Sequence, residues 1–479
     1  MGQSQSMEVA KRLGHPVIDG DGHWIESVPI FLEYLDAEAG PALVDRYRAS
    51  TLALDQWCAL SPEQRMSRRS QRAGWWAFPA NTLDRATVTF PSLMYERLGE
   101  FGIDFGVVYT TLGQGTSHDD ELRPLACRAL NRMNRDFFAP YSDRLTPAAH
   151  IPMQTPQEAI GVLEHAVGEL GMKVIMQAPV MRRLETAPAR RYLDTLGLDS
   201  PYDYEPYWTR CAELGVSPTD HSAGMWPDRQ SVSNFVFNHL GHFAAAKHAS
   251  ARGIFLGGVA TRHPTLRFAF LEGGVGWAVN LLTDLVGHFE KRNPDSMAAH
   301  LRPTNIDLEQ FGVLFEKYAP KVMRGKMDDV IGSLDCRYPF HDVVELTARE
   351  TESVDDFAAT GVSSVTELQD LFRSRFYFGC EADDPMTGLA FDPRFNGLLK
   401  PFFSSDIGHW DVSDMSDVLH EAWELVEDGL LDEQQFREFT FVNSVEFHTS
   451  ANPRFFEGTA IEKDVARLIS SRAVPESAA

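Results

Sequence analysis

Acidic and imidazole side chains are concentrated near the start of the chain, in the segment I-D-G-D-G-H-W-I-E at residues 18–26. Its ionisable members are Asp19, Asp21, His23 and Glu26. Like charges repel, and burial is unfavourable for each ionised group. Either water or a bound cation therefore has to offset the unfavourable free energy of placing these side chains together. Asp21 and His23 are two positions apart, and an extended strand would point both side chains to one face, where they can hold one ion.

Mixed carboxylate and imidazole ligands suit Zn²⁺, Mn²⁺ or Fe²⁺. Glu26, three residues beyond His23, can reach the same ion or a second one. The alternative for an isolated D-x-H is that the aspartates cap a turn and the histidine lies in a surface loop. Further candidate ligands elsewhere in the chain favour the metal site.

Four other apolar runs also end in histidine or carboxylate residues. These residues are His221, Glu272 and Glu381, and the pair Asp406 and His409 in S-S-D-I-G-H. Glycines flank several of them and would let the backbone approach a ligand closely. His239 and His242 are spaced i, i+3 in a predicted helix over 232–248, where they would be an additional ligand, a proton shuttle or part of a packed helix face.

The segments that must position these residues are short apolar runs that alternate with helical patterns. The eight runs span residues 16–18, 103–109, 145–151, 172–176, 215–219, 266–271, 375–380 and 399–404. Nearly continuous apolar strands alternating with helices indicate parallel βα units, and eight of them predict a (β/α)₈ TIM-like barrel. In such a barrel the loops after the strands converge on one mouth, which would bring the candidate ligands together.

The barrel is predicted as a single domain over residues 15–472, between an N-terminal tail at 1–14 and a C-terminal tail at 473–479. Residues 51–95 and 295–372 do not fit the βα repeat and are interpreted as helical insertions or lids around the barrel. The sequence pattern of residues 413–449 predicts two C-terminal helices.

Composition narrows the class of protein. Acidic residues outnumber basic ones, 68 to 44, which argues against a nucleic-acid or anionic-membrane partner. Five scattered cysteines without a C-x-x-C pair are typical of a reducing compartment. No apolar run approaches the length of a membrane span and no secretory signal is evident, so a cytoplasmic location is predicted.

The motifs at the strand ends resemble those of the amidohydrolase superfamily, and more closely its amidohydrolase-related branch, which includes aminocarboxymuconate-semialdehyde decarboxylase. The motifs are I-D-G-D-G-H at strand one, D-H at strand five, F-L-E-G-G at strand six and S-S-D-I-G-H at strand eight. The most specific match is G-V-A-T-R-H-P-T-L-R-F-A-F-L-E-G-G-V-G-W, residues 258–277, and the similarity extends over about 17–449.

The resemblance implies a distorted (β/α)₈ barrel with a divalent metal, and an assembly of subunits, usually a dimer. By position, the ligands and acid/base residues would be Asp21, His23, His221, Glu272 and Asp406, and His409 matches a histidine often found three residues after the last Asp. The chain departs from the usual pattern at strand one, with Asp21 in place of His, and at strand six, with Glu272 in place of His. Together with Glu26, these oxygen ligands favour Mn or Fe over Zn and permit two ions.

The leading hypothesis is therefore a metal-dependent hydrolase or non-oxidative decarboxylase of a small carboxylated substrate, with Glu272, Asp406 or His409 moving the proton. A second hypothesis is a dinuclear non-haem Fe/Mn or di-iron monooxygenase, with Glu26 or Glu272 bridging the ions. A third is a catalytically silent barrel that acts as a partner subunit in a homo- or hetero-oligomer.

Overall fold

The computed structural model describes residues 4–50, 54–71, 78–113, 119–186, 189–221, 231–302, 305–332, 354–395 and 398–472. The predicted C-terminal tail at 473–479 and parts of both predicted insertions, 51–53, 72–77, 303–304 and 333–353, lie outside the described residues.

Eight parallel strands form one sheet, as predicted for a (β/α)₈ barrel, in the order β1-β2-β3-β4-β7-β8-β9-β10. The strands are β1 Ile18–Trp24, β2 Phe105–Thr110, β3 Leu145–Ile151, β4 Val174–Gln177, β7 Pro218–Asp220, β8 Phe268–Phe270, β9 Phe376–Cys380 and β10 Lys400–Phe403. Each predicted apolar run overlaps one of them, and nearly all their residues are buried. The fold class predicted from the sequence is confirmed.

The sheet closes through backbone hydrogen bonds between β1 and the segment after β10. The amide of Asp406 donates to Asp21 O at 2.9 Å, and that of His23 donates to Ile407 O at 2.8 Å. Gly20 makes this closure possible, because a Cβ there would lie 2.5 Å from the ring of Phe402. The glycines of the D-G-D-G-H motif were expected to admit a ligand, but here Gly20 admits a neighbouring core ring.

A two-stranded antiparallel hairpin, β5 Met181–Thr186 and β6 Ala189–Asp194, follows β4 and was not predicted. Its strands carry four arginines and no clear alternation of apolar residues, so it lacks the sequence signature of a half-buried strand.

The helices cover most of the remaining described chain. They are α1 Gln5–Arg12, α2 Val28–Ala39, α3 Pro41–Ser50, α4 Leu54–Cys58, α5 Pro62–Arg68, α6 Thr82–Thr87, α7 Pro91–Phe101, α8 Leu122–Phe138, α9 Pro156–Leu163, α10 Glu205–Leu214, α11 Phe235–His239, α12 His242–Leu256, α13 Val259–Arg262, α14 Gly276–Arg292, α15 Pro294–His300, α16 Leu308–Tyr318, α17 Met327–Gly332, α18 Val365–Arg375, α19 Val418–Glu427, α20 Glu433–Arg437, α21 Asn443–Ala451 and α22 Glu462–Arg472. Helix α1 falls within the predicted N-terminal tail. None of the helices in the described part of the chain combines the length and apolar character that crossing a membrane requires.

The prediction of one continuous helix over 232–248 is wrong. The chain forms α11 and α12 instead, separated at Leu240 and Gly241. Gly241 has φ +69°, a left-handed conformation that ends one helix and starts the next. His239 and His242 therefore lie on two helices and do not share one helix face.

The chain divides into two compact units, residues 1–282 with 369–479, and residues 283–368. In the first unit, the barrel core is continuous with the C-terminal segment. Phe105 of β2 packs edge-on against Phe455 and Phe456, which lie between α21 and α22, with ring centroids 6.2 and 5.4 Å away. This apolar base leaves the opposite ends of the strands for polar residues. In the second unit, the Phe289 and Phe357 rings meet at right angles 5.2 Å apart.

Candidate metal centre

Strand β1 places Asp21 and His23 in the barrel interior, as their two-residue spacing predicted. Neither side chain is exposed, and His23 Nε2 lies 3.6 Å from Asp21 Oδ1. Among the described residues, neither carboxylate oxygen of Asp21 has a hydrogen-bond partner. A buried carboxylate without donors is unfavourable unless a cation compensates it.

His221 reaches the same carboxylate from the end of β7. Its Nε2 lies 3.2 Å from Asp21 Oδ1, and its ring stacks on that of Tyr109, with centroids 4.6 Å apart and planes at 5°. Tyr109 is in turn fixed by a hydrogen bond from its hydroxyl to Thr219 Oγ1 at 3.1 Å. The imidazole is thus held rigidly beside Asp21.

Glu272 and Asp406 complete the group from the ends of β8 and β10. Glu272 Oε1 lies 3.7 Å from His23 Nε2 and 3.4 Å from His221 Nε2, and Asp406 Oδ1 lies 2.9 Å from His23 Nε2. Both acidic residues have left-handed backbone conformations, with φ +55° and +51°. Such conformations are unfavourable for residues other than glycine, and they are often found where a functional side chain has to be aimed.

These side chains form two overlapping sets of potential ligand atoms, each set lying within 4.8 Å. One comprises Asp21, His23 and His221; the other comprises His23, Glu272, Asp406 and His409. Imidazole nitrogens and carboxylate oxygens at this spacing fit a divalent transition metal. His23 belongs to both sets and joins them. The nitrogen and oxygen donors and the unpaired oxygens of Asp21 together fit a metal site.

Glu26 does not join these sets. Its carboxylate accepts hydrogen bonds from the Thr110 hydroxyl, from the Thr111 amide at 3.1 Å and from the Thr111 hydroxyl at 2.6 Å. The side chain therefore ties β1 to the end of β2. Three donors already satisfy its oxygens, so the geometry gives no support to Glu26 as a ligand or bridge.

Two further aspartates at the strand ends are occupied with hydrogen bonds that support the centre. Asp19 accepts from the amide and hydroxyl of Ser405, at 2.8 and 2.5 Å. Asp220 accepts from Gln177 Nε2 at 2.9 Å and from the Ser250 hydroxyl at 2.5 Å. Each precedes a candidate ligand by one or two residues, so these bonds fix the backbone that carries Asp21 and His221.

His239 and His242 lie beside the centre, outside both sets of ligand atoms. His242 Nδ1 lies 2.6 Å from His239 O, across the break between α11 and α12. The His239 ring packs against Trp410, with centroids 5.3 Å apart. Of the tryptophans adjacent to predicted site residues, Trp410 borders the cavity next to Glu272, whereas Trp24 packs against Phe137 and Phe138 in the core.

Burial dominates the electrostatics of the centre. Burial and the neighbouring carboxylates raise the pKa of Asp21 well above its usual range, despite His23, and burial lowers the pKa of His221 to about 4. Burial also opposes ionisation of Asp406, but His409 and His23 hold the pKa of its carboxyl below the ordinary value. An acid that resists ionisation beside one that is readily ionised is typical of catalytic sites.

Sequence reasoning missed Lys247. This residue of α12 is fully buried, its Nζ lies 4.0 Å from Glu272 Oε2, and burial lowers its pKa. The run A-A-A-K-H-A gave no signal of this, because a lysine in a helix is ordinarily expected on the exposed face.

The sequence profile of the amidohydrolase family matches residues 94–314. No curated protein sequence matches the chain.

Several solved structures share the fold. An amidohydrolase from Mycobacterium avium subsp. paratuberculosis K-10 is 16% identical, with a TM-score of 0.55 over 91% of this chain and 100% of that one. A dihydroxybenzoic acid decarboxylase from Polaromonas sp. JS666, with bound manganese and the inhibitor 2-nitroresorcinol, is 14% identical, with a TM-score of 0.50 over 92% and 99%. A 5-carboxyvanillate decarboxylase from Sphingomonas paucimobilis is 11% identical, with a TM-score of 0.50 over 90% and 98%.

Proposed function

We propose that this chain is a member of the amidohydrolase superfamily, as the strand-end motifs predicted and the profile match over residues 94–314 supports, and that it is a metal-dependent enzyme that hydrolyses or decarboxylates a small carboxylated substrate. The observation that carries the proposal is Asp21: a carboxylate with no exposed surface, without a hydrogen-bond donor among the described residues, and 3.2 Å from His221 Nε2. A divalent cation would compensate its charge.

The proposed ligands are Asp21, His23, His221, Glu272 and Asp406. Three carboxylates with two imidazoles form an oxygen-rich set that suits Mn or Fe better than Zn. A bound ion would lower the pKa of a coordinated water or polarise a substrate oxygen. The names of the two similar decarboxylases, which act on dihydroxybenzoic acid and 5-carboxyvanillate, support the choice of a carboxylated substrate.

Asp406 and His409 provide the route for a proton. Asp406 Oδ1 lies between His23 Nε2, at 2.9 Å, and His409 Nδ1, at 2.7 Å. The His409 side chain is 22% exposed and the Asp406 carboxylate raises its pKa, so His409 can donate a proton at the centre and take another from solvent. Glu272, on the other side of His23, is the alternative proton carrier, and Lys247 holds its second oxygen.

The test is the metal content of protein purified from cultures supplied with Mn, Fe and Zn. We expect about one ion per chain in the wild type and loss of most of it in Asp21→Asn. Glu26→Gln, which removes a buried carboxylate outside the ligand sets, is the matched control and should keep its metal. Wild-type protein without metal, or equal metal in Asp21→Asn and wild type, would contradict the proposal and leave the silent partner subunit as the better description.

A second candidate function is the dinuclear monooxygenase, and a specific observation favours it. Asp406 belongs to a further set of potential ligands, with Glu381 and Asp411, also within 4.8 Å. Donors thus exceed the needs of one ion, and Asp406 would be the shared ligand. Two ions per chain, including Fe or Mn, together with substrate-dependent O₂ uptake would support this function over hydrolysis or decarboxylation.

A further inference from the structure

Helix α16, Leu308–Tyr318, in the unit at residues 283–368, carries a group of exposed apolar side chains. Val313, Leu314 and Tyr318 are 47 to 67% exposed, and Val322 in the turn that follows is 75% exposed. Single exposed apolar residues are ordinary, whereas a contiguous group on one side of a helix marks an interaction surface. We call these four residues the α16 face.

The opposite side of α16 is already packed within its unit. Phe315 is 7% exposed, and a Cβ at Gly312 would lie 3.5 Å from Met327 Sδ, so this side faces α17. Successive residues of a helix are about 100° apart around its axis, which turns Val313 and Leu314 away from the packed side. The α16 face is therefore a second surface of the helix and not part of the interior of the unit.

Two charged residues border the α16 face in a self-complementary pattern. Glu309 and Lys317 lie four positions before and four positions after Val313, and both are exposed. Residues four apart form one row on a helix surface, so this row is acidic, apolar and basic in turn. Glu309 and Lys317 are about 12 Å apart along the helix axis and cannot pair with each other within one chain. The row therefore offers both charges to a partner.

A second copy of the same helix complements this row. In an antiparallel pair related by a twofold axis at Val313, Glu309 of each copy lies beside Lys317 of the other, which gives two identical ion pairs around an apolar centre. Rows of residues four apart interdigitate in the commonest packing of two helices, and the adjacent row brings Leu314 and Tyr318 into the contact. A partner with charges of one sign would instead be repelled at one end of the row.

From these features we infer that the α16 face, with Glu309 and Lys317, is an interface between two copies of this chain. All of its residues belong to the unit at residues 283–368, which contains none of the proposed metal ligands, so the interface is separate from the proposed function. A surface formed by one helix and one turn is small, and small interfaces are typical of transient association. We therefore expect a dimer with a dissociation constant of about 10 μM.

Sedimentation velocity of the full-length chain, over concentrations that span this dissociation constant, measures the association. Val313→Asp should weaken it about tenfold or more, because two carboxylates would then meet at the twofold axis. Glu309→Lys and Lys317→Glu should each weaken it about tenfold, because each single variant places like charges beside each other at two positions of the interface.

The double variant Glu309→Lys with Lys317→Glu exchanges the two charges and restores both ion pairs with reversed polarity. Its association should return to within about threefold of the wild type, a coupling that only a self-complementary contact produces. Glu316→Lys is the matched control: it changes an exposed acid of the same helix that would lie opposite the uncharged Gln310, and it should associate as the wild type does. All of these variants should keep the wild-type melting temperature, because the altered side chains are exposed.

A wild-type chain that stays monomeric over the whole concentration range would overturn the inference. Association that is unchanged in Val313→Asp would overturn it too, because the copies would then meet through another surface. The same holds if the double variant fails to recover what the single variants lose. Binding of the monomer to neutral phosphatidylcholine vesicles that is lost in Val313→Asp would show that the α16 face binds lipid instead. Metal content plays no part in these measurements, so failure of the proposed function is detected separately.

Discussion

Lys247 Nζ lies 4.0 Å from Glu272 Oε2, and the lysine side chain has no exposed surface. The pair joins helix α12 to the end of β8, where Glu272 adopts a left-handed backbone conformation. Oε2 faces Lys247 while Oε1 faces His23 and His221, so the lysine determines which oxygen is presented to the centre. A fixed internal cation thus orients a candidate ligand.

Replacing this lysine should destabilise the metal-free protein. Lys247→Met leaves Glu272 buried without its neighbouring cation, and breaking a buried ion pair from one side costs about 3 kcal/mol in the free energy of unfolding. Added Mn²⁺ should recover part of the loss, since it places a positive charge beside the same carboxylate. Urea unfolding with and without Mn²⁺ measures both effects.

Lys400→Met is the control for that experiment. Lys400 is paired with Glu446 at 2.5 Å, but the two side chains are 29% and 27% exposed, so its removal should change stability by about 1 kcal/mol or less, with no response to Mn²⁺. Equal losses in the two variants would refute the orienting role of Lys247.

Glu26→Gln should lower stability without affecting metal content. The carboxylate accepts three hydrogen bonds from Thr110 and Thr111, and an amide can accept at only one of its two terminal atoms. We expect a loss of about 2 kcal/mol in the free energy of unfolding. Thermal unfolding and metal analysis of the same sample check the prediction. A drop in metal content would indicate that Glu26 is a metal ligand after all.

His409 should be protonated in metal-free protein at pH 8. Burial alone would lower its pKa, but the Asp406 carboxylate raises it to about 10, from an ordinary value of 6.5. A pKa raised by folding adds stability that is complete below the ordinary value and is lost as pH rises through about 10. Urea unfolding of EDTA-treated protein should show this loss between pH 7 and 10, and Asp406→Asn should abolish it.

Imidazole resonances in NMR spectra provide the direct measurement for this ion pair. The His409 ring should titrate near pH 10 in metal-free wild type and at a much lower pH in Asp406→Asn. A neutral His409 at pH 8 in the wild type would show that the ion pair does not form.

Gly20→Ala should be strongly destabilising. The added Cβ would lie 2.5 Å from the Phe402 ring and 3.2 Å from Phe403 O, where the barrel closes. Overpacking of this kind costs about 1 to 3 kcal/mol. Gly161→Ala in α9, where nothing lies within 4 Å of the new Cβ, should instead stabilise the protein by about 0.5 to 1 kcal/mol. Thermal denaturation distinguishes the two; similar melting temperatures would contradict the packing argument.

The eight strands could be predicted because buried parallel strands are continuous apolar runs, such as residues 145–151, whose predicted and observed bounds coincide. The strand-end candidates were also placed together, because parallel strands present their carboxyl ends to one mouth. His23, His221 and Asp406 meet for this reason. The predicted barrel was enough to place these residues close together, although the directions of their side chains could not be predicted.

What escaped prediction depended on contacts that local sequence does not encode. Glu26 was expected to reach the ion, but the hydroxyls of Thr110 and Thr111, on a distant strand, satisfy it. Lys247 carries no motif and is significant only because α12 packs over Glu272. The homo- or hetero-oligomer and the cytoplasmic location stay predictions.

Two backbone hydrogen bonds close the barrel, from the amide of Asp406 to Asp21 and from that of His23 to Ile407. They join the first strand of the barrel to the segment after its last strand, so this contact has high sequence separation and should form late in folding. The same junction brings Asp21, His23 and Asp406 together. During synthesis, Asp21 and His23 therefore emerge long before Asp406, and the proposed set of ligands is complete only after the segment around residue 406 has left the ribosome.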